Sequence, residues 1–221
     1  MDKLDTFQDQ VNGAVRINEM SPIKVNIGDV TFDRVTRARK YNGRQFGSSK
    51  LYTDIILDNN SKSIKISLKE DVISSVHMPK KAIDMMVPNL VDKFINAVAS
   101  KVLSMGLNEN DDLPRILYGK INRINKSRLI IGTQAMGGPI DYIYIGSAKA
   151  QFNTKEDILQ FDGFLIDSKD YAENQEIYLR IMLKSSAKFR PDMKKQDVIR
   201  SYDVEGITIV PNNKDGITVT V

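Results

Sequence analysis

The sequence predicts an α+β or mixed α/β fold: a central mixed β-sheet with one long helix. Two patterns carry that expectation. Short apolar runs, alternating or rich in β-branched residues, recur from Ile23 to Val221. Between them one segment has helical spacing, with Ile83, Val87, Leu90, Val91, Phe94, Val98 and Val102 on a common face. The chain has 221 residues, of which 41% are hydrophobic, enough for a packed core and too many for wholesale disorder. A single domain over 1–221 is expected, with a core over 23–150 and a β-rich extension over 151–221.

The elements follow in order. Leu4, Phe7 and Val11 predict a helix over 3–12, ended by Gly13. Ile23 to Ile27 alternates strictly and reads as a strand closed by Gly28-Asp29, and Val30 to Ala38 as a second strand. Tyr41 to Lys50 is a basic, glycine-containing loop. Tyr52 to Leu57 and Ile64 to Leu68 form the clearest strand pair, joined by turn-forming residues 58–63. Pro88 lies inside the helical pattern, so the long helix starts or kinks there, and Gly106 is placed to end it. Further strands are predicted over Ile116 to Ile121, Arg128 to Ile131, Ile140 to Ile145, Phe161 to Ile166 and Ile177 to Leu183. Ile207 to Val210 and Ile217 to Val221 flank a turn-rich segment and predict a terminal hairpin.

Composition excludes several chemistries. The absence of Cys removes disulfides, thiolate catalysis and thiolate metal sites. One histidine, His77, excludes a multi-histidine metal site and disfavours a Ser-His-Asp triad. No apolar run reaches the roughly 20 residues needed to cross a bilayer, and the polar start Met1 to Asp5 is unlike a signal peptide, so a cytoplasmic location without membrane attachment is expected. The net charge is +4, and the cations are clustered. From Asp33 to Lys50, Arg34, Arg37, Arg39, Lys40, Arg44 and Lys50 face one acid. From Arg115 to Arg128, Arg115, Lys120, Arg123, Lys126 and Arg128 face none. From Arg180 to Arg200 there are seven cations, Arg190 among them, and two acids. One such cluster is an ordinary solvated face; three point to a polyanion such as DNA.

The strand pair carries the candidate chemistry. Side chains alternate faces along a strand, so Ile64, Ile66 and Leu68 point one way and Lys65, Ser67 and Lys69 the other. If Leu57 pairs with Ile64, Asp54 falls opposite Ser67, and Asp54, Ser67 and Lys69 converge on one surface. A slip of one residue destroys that convergence. A carboxylate suits Mg²⁺ or Mn²⁺, the metal activates a water, and a lysine orients that water or stabilises developing charge.

Asp54 followed by Ser67-Leu68-Lys69 resembles the PD-(D/E)XK, or restriction-endonuclease-like, nuclease superfamily, in a variant of the tailed-phage type. The resemblance implies a restriction-endonuclease-like core and a phage-encoded, metal-dependent DNA endonuclease. In it Asp54, Ser67 and Lys69 are catalytic, Asp54 binds Mg²⁺ or Mn²⁺, and the long helix belongs to the same core. Ser67 stands where the family has an acid, so a second carboxylate has to come from elsewhere. Glu19 is the chosen candidate, with Glu70 and Asp141 as others. Arg37, Arg39, Lys40, Arg44, Lys50, Arg123, Lys126 and Arg190 are the expected DNA contacts. The missing acid motivates a second reading, a catalytically inactive DNA-binding, virion-assembly or inhibitor protein on the same scaffold, with a protein partner in a phage assembly. The host cytoplasm or the virion is its expected place. Gly137-Gly138-Pro139 either lets a backbone approach a phosphate or, more simply, turns the chain before a strand.

Overall fold

A computed structural model describes residues 2–43, 52–69, 75–208 and 217–220, with backbone alone for 75–77 and 217–220. The protein is α+β, with helices and mixed sheets. The chain divides into two compact units, 1–72 with 130–173 and 73–129 with 174–221. Each unit is therefore built from two separate stretches of chain.

The first unit is a closed six-stranded barrel. Its strands are β1 (Ile23–Ile27), β2 (Val30–Lys40), β3 (Ile55–Asn59), β4 (Ser63–Lys69), β7 (Tyr142–Asn153) and β8 (Ile158–Asp167), neighbours in that order. Pairing is antiparallel except at β4–β7 and at β8–β1, which closes the ring. The expected mixed sheet is present, but it closes on itself instead of remaining open.

The barrel is too narrow for anything but side chains. Val25, Ile27, Ile55, Leu57, Ile64, Ile66, Leu159 and Phe161 fill it. Helix α1 (Lys3–Ile17) adds Phe7, Val11, Ala14 and Val15 to the same core. Phe7 stacks on Phe161 at 4.2 Å between centroids and meets Tyr144 edge-on. The apolar spacing of α1 is the predicted one, but Gly13 does not end it. An interior glycine costs a helix about 1 kcal/mol, and burial of Val11, Ala14 and Val15 on either side outweighs that. The helix ends at Asn18.

α1 also completes β2. Beyond Val35 this strand overhangs β1, leaving backbone groups without a ladder. The Asn12 side-chain amide donates to the Ala38 carbonyl at 2.9 Å and accepts from the Ala38 amide at 2.8 Å. Gln8 accepts from the Lys40 amide at 3.2 Å. Two side-chain amides thus stand in for a strand.

The second unit is a five-stranded sheet in the order β11 (Ile217–Thr220), β6 (Ile116–Lys120), β9 (Tyr178–Leu183), β10 (Tyr202–Thr208), β5 (Ser75–His77). The predicted long helix is broken into α2 (Lys80–Met86) and α3 (Leu90–Leu103) at Pro88, with Asn89 left-handed at φ 60°. α3 packs on β6 and β11, within the second unit. The ring of Phe94 lies over Gly119, where a side chain would collide: a Cβ there would come within 2.4 Å of the ring. α6 (Lys195–Ser201) packs against α3 and β10. The remaining helices are α4 (Arg123–Ile131) and the short α5 (Ser168–Asn174).

Two expectations are corrected. Arg128 to Ile131 is the end of α4, not a strand. Asn122 caps that helix, its side chain accepting from the Asn125 amide at 3.0 Å. β10 and β11 do not form a hairpin. Both edges of β10 are taken by β9 and β5, and β11 pairs parallel to β6.

Candidate functional site

The hairpin register is the predicted one. Leu57 pairs with Ile64 and Ile55 with Ile66. One residue further on, the Asp54 amide donates to the Ile66 carbonyl at 3.0 Å. Asp54 therefore faces Ser67, whose hydroxyl donates to Asp54 Oδ2 at 3.2 Å. The apolar set points into the barrel and the polar set outward.

Asp54 has a second partner on the same oxygen. The Leu68 amide donates to the same Oδ2 at 2.7 Å, the shorter of the two bonds. The carboxylate thus fastens the end of β3 to the backbone of β4. Ser67 is 2% exposed. The segment 132–139 runs over this outer face. Thr53 Oγ1 donates to the Gly137 carbonyl at 2.6 Å, Lys65 Nζ to the Gly138 carbonyl at 3.2 Å, and the Tyr52 amide to the Met136 carbonyl at 3.0 Å. Gly137 (φ 79°) is approached by Tyr41 and Gly138 by the Gly132 backbone, so the glycines there serve close packing. Lys69 is half-buried at the end of β4, and its carbonyl accepts from Lys3 Nζ.

The other candidate acids lie apart from Asp54 in their bonding. Asp141 clasps the start of β7 to β4, accepting from the Lys65 amide at 2.8 Å while its own amide donates to the Lys65 carbonyl at 2.9 Å. Glu19 is an exposed turn residue after α1 with φ 51°. Glu70 lies outside the described residues, as does the His77 side chain. Among the described residues no group of three or more His, Asp or Glu side chains is placed to share a metal ion.

The expected DNA contacts fall in several places. Arg37 and Arg39 sit side by side on the outside of the barrel, each with Nε 2.8 Å from Asp58 Oδ2. A β-bulge between Val35 and Arg37 puts them there. Val35 and Ala38 both face the core, three residues apart, which strict alternation forbids; the extra residue sends Arg37 and Arg39 outward together. Lys40 pairs with Asp5. Lys126 donates to the Gln175 carbonyl at 2.8 Å, Arg123 is exposed at the start of α4, and Arg190 stands 3.5 Å from Asp192. Arg44 and Lys50 lie outside the described residues.

Asp58 is a site residue that no sequence motif marks. The sequence places it in the predicted turn, but it lies within β3, one residue before the strand's end, and is 9% exposed. Burial by itself would raise its carboxyl; hydrogen bonds from Arg39, Ser63 and Arg37 outweigh burial and hold it down at about 2. The available signal was two arginines at i and i+2 of one strand beside an acid on the next, hidden by the bulge.

No family model, no curated protein and no solved structure matches this chain.

Proposed function

We propose that the protein is a non-catalytic, nucleic-acid-binding module whose hairpin is nuclease-like in register but structural in use. One observation carries this: Asp54 Oδ2 is committed to the Leu68 amide and the Ser67 hydroxyl. A carboxylate that ties two strands together is poorly free to move onto a metal. The clustered cations support a polyanion partner. The likeness to the PD-(D/E)XK superfamily then rests on the hairpin alone, and a role in phage assembly or inhibition rests on that likeness.

A metal-dependent DNA endonuclease is the second reading, favoured by the shared outer face of Asp54 and Ser67. In that reading Asp54 and Lys69 act on Mg²⁺ or Mn²⁺ and its water.

The two are separated by one set of assays. The wild-type protein is expected to shift a DNA duplex at low salt and to leave it uncut with Mg²⁺ or Mn²⁺. Asp54→Ala is expected to keep DNA binding while losing about 1–3 kcal/mol of stability, because the Leu68 amide is orphaned. Metal-dependent cleavage by the wild type, lost in Asp54→Ala and in Lys69→Ala, would replace the binding reading with the nuclease. No detectable DNA affinity at low salt would defeat both.

A further inference from the structure

The Arg37–Asp58–Arg39 group contains more positive charge than Asp58 requires. The carboxylate is full. Its Oδ2 accepts from Nε of both arginines at 2.8 Å, and its Oδ1 accepts from Ser63 Oγ at 2.5 Å and from Arg39 Nη2 at 3.4 Å. Arg39 and Ser63 alone would satisfy a buried acid. The second guanidinium leaves the group with a net positive charge and holds two like charges close together, each Nε within 2.8 Å of one oxygen. That remaining positive charge is one a further anion would offset.

The placement suits one. Both arginines use Nε inward, and Arg39 also turns Nη2 towards Asp58 Oδ1. Among the described residues, neither terminal nitrogen of Arg37 nor Nη1 of Arg39 makes a hydrogen bond. The arginine side chains are 64% and 43% exposed, while that of Asp58 is 13% exposed. A bulged strand and a saturated carboxylate thus hold the two guanidiniums side by side, with the terminal nitrogens of Arg37 and Nη1 of Arg39 left for a ligand, which lowers the ordering cost of binding. Planar forks match the geometry of phosphate oxygens.

We infer that Arg37 and Arg39 form a phosphate clamp for the backbone of a nucleic acid, and that Asp58 is its positioning residue. This rests on the binding reading above and assigns it a place on the barrel.

The test exploits a sign difference. Asp58→Asn removes a negative charge, so a diffuse electrostatic surface would bind DNA more tightly. The clamp, with its arginines released, binds more weakly. The expected result is a loss of about tenfold in affinity for a short DNA duplex, measured by fluorescence anisotropy at low salt. The double variant Arg37→Lys/Arg39→Lys keeps every charge, and its fold is checked by circular dichroism and its urea midpoint. It is expected to lose at least tenfold in affinity with an unchanged salt dependence. Tighter binding by Asp58→Asn, or unchanged binding by the double lysine variant, would overturn the clamp while leaving DNA binding standing. Absence of DNA binding by the wild type would instead remove the reading beneath it. Should Asp58→Asn fail to fold, the lysine pair decides alone.

Discussion

At the scale of single residues, Asp54 and Asp58 show two uses of a strand carboxylate. Asp54 takes a backbone amide and a hydroxyl, neither charged. Asp58 takes two guanidiniums and is held at about 2. The folded-state value of Asp58 is below the ordinary unfolded one of about 3.9. Its contribution to stability is therefore complete above about pH 4 and is lost as pH falls through about 2. Urea unfolding of wild type and Asp58→Asn should differ by a constant amount at neutral and mildly acidic pH. That difference should shrink between about pH 4 and about pH 2. A difference that stays constant across that range would mean the Asp58 ion pairs contribute nothing to folding.

At the scale of elements, legibility followed the local signal. The hairpin was readable because alternation and turn residues fix its register without reference to the rest of the chain. The helix around Phe94 was readable from its apolar face, and its break from Pro88. Arg128 to Ile131 was misread because a short apolar run has no period to distinguish strand from helix; the capping Asn122 was the better guide. The terminal strands were misread because proximity in sequence favours a hairpin, whereas the pairing of β11 with β6 depends on residues a hundred positions away. Closure of the barrel and the Arg37–Asp58–Arg39 group were hidden for the same reason, one by a long-range strand pairing and the other by a bulge. Gly119 offers a test at this scale. Its lack of a side chain lets the Phe94 ring pack directly against β6. Gly119→Val is expected to cost about 1–3 kcal/mol by overpacking, read as a lowered urea midpoint. An unchanged midpoint would show that α3 can shift away from the sheet at little cost.

At the scale of the whole molecule, the positive charge is unevenly shared. The barrel unit carries fifteen Lys and Arg against seventeen Asp and Glu, and the sheet unit seventeen against eleven. Under the proposed binding function, the barrel acts through the Arg37–Arg39 pair and the sheet unit through its net positive charge. The two contributions respond differently to mutation. Arg190→Glu in the sheet unit is expected to weaken DNA binding and to make the plot of log affinity against log salt shallower by about one to two. Anisotropy titrations at four or five salt concentrations would show it. A slope identical to that of the wild type would exclude Arg190 from the field that DNA meets.

The parallel pairing of β8 with β1 also sets an order of events during synthesis. When β1 to β4 leave the ribosome they can form hairpins, but the outer edges of β1 and β4 stay bare until β8 and β7 arrive. Residues 73–129, which belong to the other unit, emerge in between. At common elongation rates the wait is on the order of ten seconds. For that interval the nascent chain exposes two open strand edges, the usual starting points of aggregation. Helix α1, made before these strands and able to cover the overhang of β2 through Asn12 and Gln8, is positioned to shield part of that sheet before the ring can close.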